Sequence, residues 1–387
     1  MRVAIVVHLE KFARKRSPCY NGLAMKEISS LTLVLSDQCN FSCPYCPQRR
    51  GKNALKIEDI AFFLDFLRPR LEKEVWLGFY GGEPLLSWPL VEKTVAYAEN
   101  KFKNRFLFTL TTNGSLLKKE HMLFLKEHRF DLVLSYDGLA QKNRDGGSIA
   151  AVEAALANLQ ELYPEGYVIN SVFTQKTMPL LAASMREMMK QGHRRLQYSL
   201  DICVPWKNAD LAALERQLDR LVTICIRHQQ KTGKMPLENW VDDGKKGTFA
   251  CFAGRDRLAL LPDRTVWGCY MFYDLLGHEP LHPDYSKYCF DKLEEFMSLP
   301  TKALATVAAN YAELRQDYFF SENKELCSLC NDLESCAVCP VTAALASGTL
   351  AVIPNWTCKV KKIGRRVQAR LTANPNRAGD SMENSHA

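Results

Sequence analysis

Three cysteines stand close together near the start of the chain, at Cys39, Cys43 and Cys46. Three thiolates on one short loop can bind three irons of a four-iron cubane, which leaves the fourth iron open to a small molecule. A structural zinc site uses four protein ligands, and no fourth Cys or His lies near this loop in the sequence. The spacing therefore favours an iron–sulfur cluster with one open position over a structural zinc site.

The chain has 14 cysteines in 387 residues, and many of the others are grouped towards the C-terminus. These grouped cysteines are Cys251, Cys269, Cys327, Cys330, Cys336, Cys339 and Cys358. No export signal precedes them, so disulfide bonds are not the first explanation. Such groups indicate metal or iron–sulfur ligation, with zinc sites of the ribbon type as the alternative.

The rest of the composition is that of an ordinary globular chain, with 47% hydrophobic and 24% charged residues. The net charge of +8 is modest, and no block of basic and aromatic residues resembles a nucleic-acid-binding face. No apolar run approaches the ~18 residues that a membrane span needs. The sequence therefore predicts a cytoplasmic protein without a nucleic-acid or membrane partner.

Apolar, β-branched runs alternate with amphipathic stretches of helical length from residue 29 onwards. The predicted strands are 31–35, 75–80, 106–110, 132–135, 167–173 and 196–200, and the predicted helices between them are 57–66, 88–102, 118–127, 148–162 and 179–190. This alternation predicts an α/β protein with parallel strands, and the even spacing favours a barrel or partial barrel. A long helix over 209–230 follows, and the apolar neighbours of its Cys225 predict a buried thiol.

Small and polar residues follow the first four predicted strands. They are the cysteine loop, Gly81-Gly82-Glu83-Pro84, Thr111-Thr112-Asn113-Gly114 and Ser135-Tyr136-Asp137-Gly138. The carboxyl ends of parallel strands meet at one edge of the sheet, where such folds place their chemistry. Ordinary turns explain one or two of these loops, but they explain the whole set less well.

The Cys-x3-Cys-x2-Cys loop and the Gly-Gly-Glu-Pro segment resemble the radical S-adenosylmethionine (SAM) superfamily. The resemblance implies a partial (β/α)6 barrel in which the open iron chelates SAM. One electron from the cluster then cleaves SAM to methionine and a 5′-deoxyadenosyl radical, which abstracts hydrogen from a substrate. An electron donor such as flavodoxin or ferredoxin is an implied partner.

The resemblance also implies roles for the residues that match the family motifs. They are Cys39, Cys43 and Cys46 for the cluster, and Tyr45, Gly81, Gly82, Glu83, Ser135, Asp137 and Arg144 for SAM. Tyr45 is expected near the adenine. The Gly81-Gly82-Glu83 motif is expected to receive the amino group of SAM, because backbone without side chains lets a ligand approach closely.

The C-terminal cysteines resemble the SPASM extension of peptide-modifying radical SAM enzymes, which usually holds two auxiliary 4Fe–4S clusters; one or two are expected here. The implied ligands are Cys327, Cys330, Cys336 and Cys358 for one cluster, and Cys251, Cys269 and Cys339 for the other. Cys289 or an open iron completes the second set. Two features depart from the family pattern: Cys336 and Cys339 are one residue closer, and Arg264 replaces a glycine.

The expected domains are an N-terminal extension (1–28), a radical SAM barrel (29–206), a helical connector (207–240), a SPASM-like auxiliary cluster domain (241–362) and a disordered tail (363–387). The predicted function is the oxidative modification of a peptide or protein, as in the maturation of ribosomally made peptides. The extension is too short for a leader-binding domain, so a separate leader-binding protein is a possible further partner.

Two alternatives remain open from the sequence. Anaerobic sulfatase-maturating enzymes carry a catalytic Asp directly after the second cysteine of the extension, whereas here Tyr270 follows Cys269 and the next carboxylate is Asp274. The other alternative is a non-catalytic zinc or iron–sulfur scaffold. No catalytic residue is assigned from the sequence.

Overall fold

The computed structural model describes residues 27–144, 148–201, 204–240 and 248–372. The predicted N-terminal extension therefore lies almost entirely outside the described residues. Within the described ranges, no helix is long and apolar enough to cross a membrane.

The strands form one large sheet and one small one. They are β1 (Ile28–Val34), β2 (Leu71–Tyr80), β3 (Phe106–Thr112), β4 (Asp131–Ser135), β5 (Tyr167–Phe173), β6 (Leu196–Leu200), β7 (Arg257–Leu260), β8 (Thr265–Trp267), β9 (Cys289–Lys292), β10 (Phe320–Ser321) and β11 (Val352–Ile353). The large sheet has the order β6-β5-β4-β3-β2-β1-β7-β8-β9, and β1 to β6 are all parallel. The prediction of an α/β fold with a partial six-stranded barrel is confirmed.

The helices of the barrel connect successive strands. They are α1 (Ile57–Leu67), α2 (Trp88–Phe102), α3 (Lys119–Glu127), α4 (Ile149–Leu162) and α5 (Leu181–Lys190). The predicted bounds match α2, β5 and β6 at both ends, and the other predicted elements differ mainly at their ends. On the helix-facing side of the sheet, the ring of Phe108 packs 6.2 Å from Phe79 and 5.2 Å from Phe130, measured between ring centroids. This apolar packing fixes the strands whose carboxyl ends carry the polar loops.

The C-terminal part is joined to the barrel through the sheet itself. Strand β7 pairs in parallel with β1, with Ser30 opposite Arg257 and Leu33 opposite Leu260. Strands β8 and β9 then continue the sheet in antiparallel pairing. Because β1 leads directly into the first cysteine loop, this pairing holds the C-terminal cysteines at a fixed position relative to that loop.

The connector and the C-terminal part contain more helix than the sequence indicated. The helices there are α6 (Asn208–Thr232), α7 (Tyr270–Leu276), α8 (Tyr285–Tyr288), α9 (Leu293–Ser298), α10 (Thr301–Ala312), α11 (Pro340–Ser347) and α12 (Asn355–Thr372). Cys225 in α6 has no exposed surface, as predicted.

The prediction that a disordered tail begins at residue 363 is wrong. Helix α12 continues through Thr372, whereas a disordered tail was expected from residue 363. The helix packs against α6, and Arg366 forms an ion pair with Glu215 at 2.7 Å while Arg370 pairs with Asp219. Both ion pairs are exposed and add little, but the helix also buries an apolar face made of Ile363, Val367 and Leu371. The polar overall composition of the segment concealed that face. Residues 373–387 lie outside the described ranges.

Candidate active site and iron–sulfur sites

The first cysteine loop is fixed at its base and near its tip. At the base, the Leu55 amide donates to the Leu35 carbonyl at 2.9 Å. Near the tip, the Arg50 guanidinium donates to the Phe41 carbonyl at 2.9 Å. These bonds make the loop a closed unit at the carboxyl end of β1.

The three thiols of this loop lie together. Cys43 is close enough to Cys39, and Cys46 to Cys43, for a thiolate at one position to disfavour a thiolate at the next. Burial raises the pKa of both Cys39 and Cys43, because thiolates are poorly solvated there. The Phe41 amide donates to Cys39 Sγ at 3.4 Å, a contact that would also stabilise a metal-bound thiolate.

The Gly81-Gly82-Glu83 motif contacts the cysteine loop directly. The Gly82 amide donates to the Ser36 carbonyl at 3.0 Å, and the Glu83 amide donates to the Gln38 carbonyl at 2.8 Å. A Cβ on Gly82 would stand 2.0 Å from the Gln38 oxygen, and Gly81 has φ +140°. The glycines are therefore required for the close approach of the cysteine loop, as well as for any approach by a ligand.

Glu83, the last residue of this motif, is buried, with only 1% of its surface exposed. Thr112 Oγ1 donates to Glu83 Oε1 at 2.6 Å, and the Asn113 amide donates to Oε2 at 2.7 Å. Burial raises the pKa of Glu83, and these hydrogen bonds counter the rise. The carboxylate thus links the loops after β2 and β3.

Tyr45, Asp137 and Arg144 form one buried network. Tyr45 Oη donates to Asp137 Oδ2 at 2.8 Å, and Arg144 Nη2 donates to Asp137 Oδ1 at 3.0 Å. The Val172 amide also donates to Oδ1, at 2.7 Å. The side chains of Asp137 and Arg144 are 0% and 3% exposed. These contacts support a role for Asp137 in positioning Tyr45, while direct contact with SAM stays a prediction, as it does for Ser135, which ends β4 close by.

The C-terminal cysteines lie in two groups, whose members are those of the two sets that the resemblance implies; their role as cluster ligands stays a prediction. The inner set is Cys251, Cys269 and Cys339, whose charges act on one another. The outer set is Cys327, Cys330, Cys336 and Cys358, which also interact among themselves. Burial raises the pKa of Cys251 to about 12 and that of Cys327 to about 11, so thiolates in either set need a compensating positive charge.

Cys289, the candidate fourth member of the inner set, makes contacts within its own strand region. The Asp291 amide donates to Cys289 Sγ at 3.3 Å, and the thiol lies 3.9 Å from the Val266 carbonyl. Its main electrostatic neighbours are Tyr285, Asp291 and Asp263. Cys289 is also a neighbour of Tyr311, as are Cys251 and Cys269, so Cys289 and an open iron both stay predictions for the fourth position.

The donor chemistry of all three sets suits iron–sulfur clusters. Within the described residues, no three His, Cys, Asp or Glu side chains converge on one point as the ligands of a single ion do. The ligands of a cubane do not converge on one point, because each thiolate binds a separate iron and the cysteine sulfurs stay apart. Each of the three sets consists of cysteines whose thiols are neighbours but do not meet at one point, as cubane ligands do.

Several residues of the site carry no motif of their own. Thr112 and Asn113 bind Glu83, and Tyr80 packs on Tyr270 with ring centroids 4.4 Å apart. Thr112 and Asn113 stand in a loop that the sequence singled out without assigning a role. Tyr80 could have been noticed only as the neighbour of Gly81, because nothing in the sequence pairs it with Tyr270.

We expect Gly82→Ala to disrupt the first cysteine loop selectively. The new Cβ would collide with the Gln38 backbone next to Cys39, so the barrel iron should be lost while iron at the C-terminal cysteines is retained. Iron content and SAM cleavage measure the effect. The matched control is Gly364→Ala in α12, where a Cβ meets nothing within 4 Å and both quantities should stay at the wild-type level. Full activity of Gly82→Ala would show that the predicted collision does not occur.

Comparison with known proteins agrees with this geometry. The model of the Radical SAM superfamily matches residues 33–176, which contain the cysteine loop and the Gly-Gly-Glu motif. The GTP 3′,8-cyclase of Corynebacterium glutamicum (strain R) is 30% identical over 281 residues, covering 62% of this chain and 71% of that protein. The radical SAM cyclopropyl synthase TigE of Paramaledivibacter caminithermalis is 24% identical over 177 residues, covering 39% of this chain and 37% of TigE. The chain thus spans well under two thirds of TigE.

A solved structure extends the likeness to the C-terminal part. Native anSMEcpe with bound AdoMet and Cp18Cys peptide has a TM-score of 0.68 and 18% identity, and the match covers 89% of this chain and 97% of that one. At this identity the likeness shows a common fold for the barrel and the extension together.

Proposed function

The chain belongs to the radical SAM superfamily, and we propose that it uses the chemistry of that family to oxidise a peptide or protein substrate. Members of the family bind a 4Fe–4S cluster and SAM, and with both bound they supply a 5′-deoxyadenosyl radical. Cys39, Cys43 and Cys46 would hold the cluster. Two sets of hydrogen bonds would position the SAM site. Gly82 and Glu83 bind the cysteine loop, and Asp137 binds Tyr45.

One observation carries the oxidative part of the proposal. Tyr80, directly before Gly81, contacts Tyr270, directly after Cys269, so the inner cysteine set lies beside the barrel motif. Removal of two hydrogens from a substrate takes a hydrogen atom first, and then a proton and an electron. An iron–sulfur cluster held by the inner set would be in place to accept that electron.

The substrate class rests on the fold. The solved structure that matches over both parts of the chain is one with bound AdoMet and a bound peptide. Recognition of a nucleoside triphosphate relies on arginines and lysines that bind phosphate. Arg144 is paired with Asp137, but Arg49 lines the cavity beside Gly82. The peptide proposal therefore rests on the fold, and GTP, the substrate that the name of the cyclase relative indicates, is tested beside it.

The test is to incubate reduced, anaerobic enzyme and SAM with candidate peptides encoded beside its gene, or with GTP. We expect a peptide to lose the mass of two hydrogen atoms for each 5′-deoxyadenosine formed. Conversion of GTP instead would overturn the peptide assignment, and addition of a methyl group would make the protein a methyltransferase. A flavodoxin or ferredoxin as electron donor, and a separate leader-binding protein, are further proposals for the same assay.

A second candidate is the oxidation of a Cys or Ser in a sulfatase, because the position of Asp274 supports it. Helix α7 brings Asp274 one turn beyond Tyr270, where it interacts with Tyr80 and lines one cavity with Ser36 and Gly82. A carboxylate there could accept the proton that the substrate loses. Peptides carrying a sulfatase motif belong in the same assay and separate the two candidates.

A further inference from the structure

Two tyrosines link the barrel to the inner cysteine set. Tyr80 ends β2, and Tyr270 begins α7. Their ring centroids are 4.4 Å apart with 38° between the planes, and the two side chains are hydrogen-bonded. They are only 6% and 4% exposed, so the contact excludes water.

The pair lies between two cysteine sets rather than beside one of them. The Leu35 amide, at the base of the first cysteine loop, donates to the Tyr80 carbonyl at 2.8 Å. Tyr270 directly follows Cys269 of the inner set. The pair therefore connects the base of the first cysteine loop with a predicted ligand of the inner set.

We infer that the Tyr80–Tyr270 pair is the route for electron transfer between the barrel site and the inner cysteine site. The inference rests on the proposed function, because it requires iron–sulfur clusters at both places. With clusters bound, the pair would let one electron pass from a reduced cluster held by the inner set to an oxidised cluster held by Cys39, Cys43 and Cys46. No covalent bond and no proton moves in this step.

The properties of the pair suit this role. Tunnelling is favoured by continuous packing, and a void between two groups removes contacts outright. The two rings are in direct contact and almost fully buried, so packed atoms lead without a gap from the residue before Gly81 to the residue after Cys269.

The test uses the anaerobic holoprotein and the variants Tyr80→Leu, Tyr270→Leu and the double variant. Flash photoreduction supplies one electron, and freeze-quench EPR follows its redistribution between the clusters. The barrel cluster is identified by its response to SAM. We expect each single variant to slow electron transfer between the two clusters several-fold. The double variant should be no slower than the slower single variant, because both changes break the same contact.

Tyr273→Leu is the matched control, because Tyr273 lies on the same helix but packs on Trp267 with centroids 6.4 Å apart. In this variant, electrons should pass between the two clusters at the wild-type rate. If the leucine variants lose iron, Tyr270→Met fills similar space without a ring and takes their place. An unchanged exchange rate in variants with full iron would overturn the inference alone. Absence of iron from the wild-type protein would instead overturn the proposed function.

Discussion

Replacing Cys39, Cys43 and Cys46 together with alanine should abolish SAM cleavage while iron remains bound at the C-terminal cysteines. The reason is that the barrel loop is a closed unit, held by its own hydrogen bonds and by the Gly82 contact. The cysteines of the inner and outer sets lie in the C-terminal part of the chain, so these substitutions do not remove any of them. Anaerobic assays of 5′-deoxyadenosine and of iron content measure the two effects separately.

A control for this triple variant is Cys225→Ala, which removes a buried thiol in α6 that belongs to none of the three sets. It should keep both SAM cleavage and the full iron content. If the triple variant still forms 5′-deoxyadenosine, the assignment of the SAM-binding cluster to this loop is wrong.

Asp137→Ala should be among the most destabilising single substitutions in the barrel. It leaves the buried Arg144 guanidinium without its carboxylate and removes the acceptor for Tyr45 and the Val172 amide. Breaking a buried ion pair from one side costs about 3–5 kcal/mol. Urea unfolding of the anaerobic protein measures the free energy of unfolding.

The matched control is Asp65→Ala, which removes an exposed carboxylate paired with Arg68 and Tyr97. Exposed pairs contribute about 0–1 kcal/mol, so this variant should unfold near the wild-type denaturant concentration. The double variant Asp137→Leu/Arg144→Leu should recover part of the loss, since it leaves no unpaired charge. Equal stability of Asp137→Ala and Asp65→Ala would mean that the buried network is not formed.

Much of the barrel could be predicted because its strands are short apolar runs bounded by Gly, Asn and Asp. Strands β5 and β6 were located to the residue, since each is buried along nearly its whole length and ends in a polar turn. The cysteine sets could be predicted from spacing and family resemblance, and the structure brings together the members of each set.

The contacts between distant segments could not be predicted. Pairing of β7 with β1 depends on hydrogen bonds between segments more than 200 residues apart, for which the sequence has no local signal. The Tyr80–Tyr270 contact follows from that pairing. The end of α12 was missed for a different reason: Ile363, Val367 and Leu371 are spaced four residues apart and buried, but the polar composition around them was given more weight than this spacing.

Three sets of cysteines should hold three iron–sulfur clusters. The iron and acid-labile sulfide content of anaerobically purified protein tests this directly. Three cubanes predict about twelve irons and about as many sulfides per chain. A content near four irons with stoichiometric zinc would contradict the two C-terminal clusters, and zinc without labile sulfide would contradict the claim altogether.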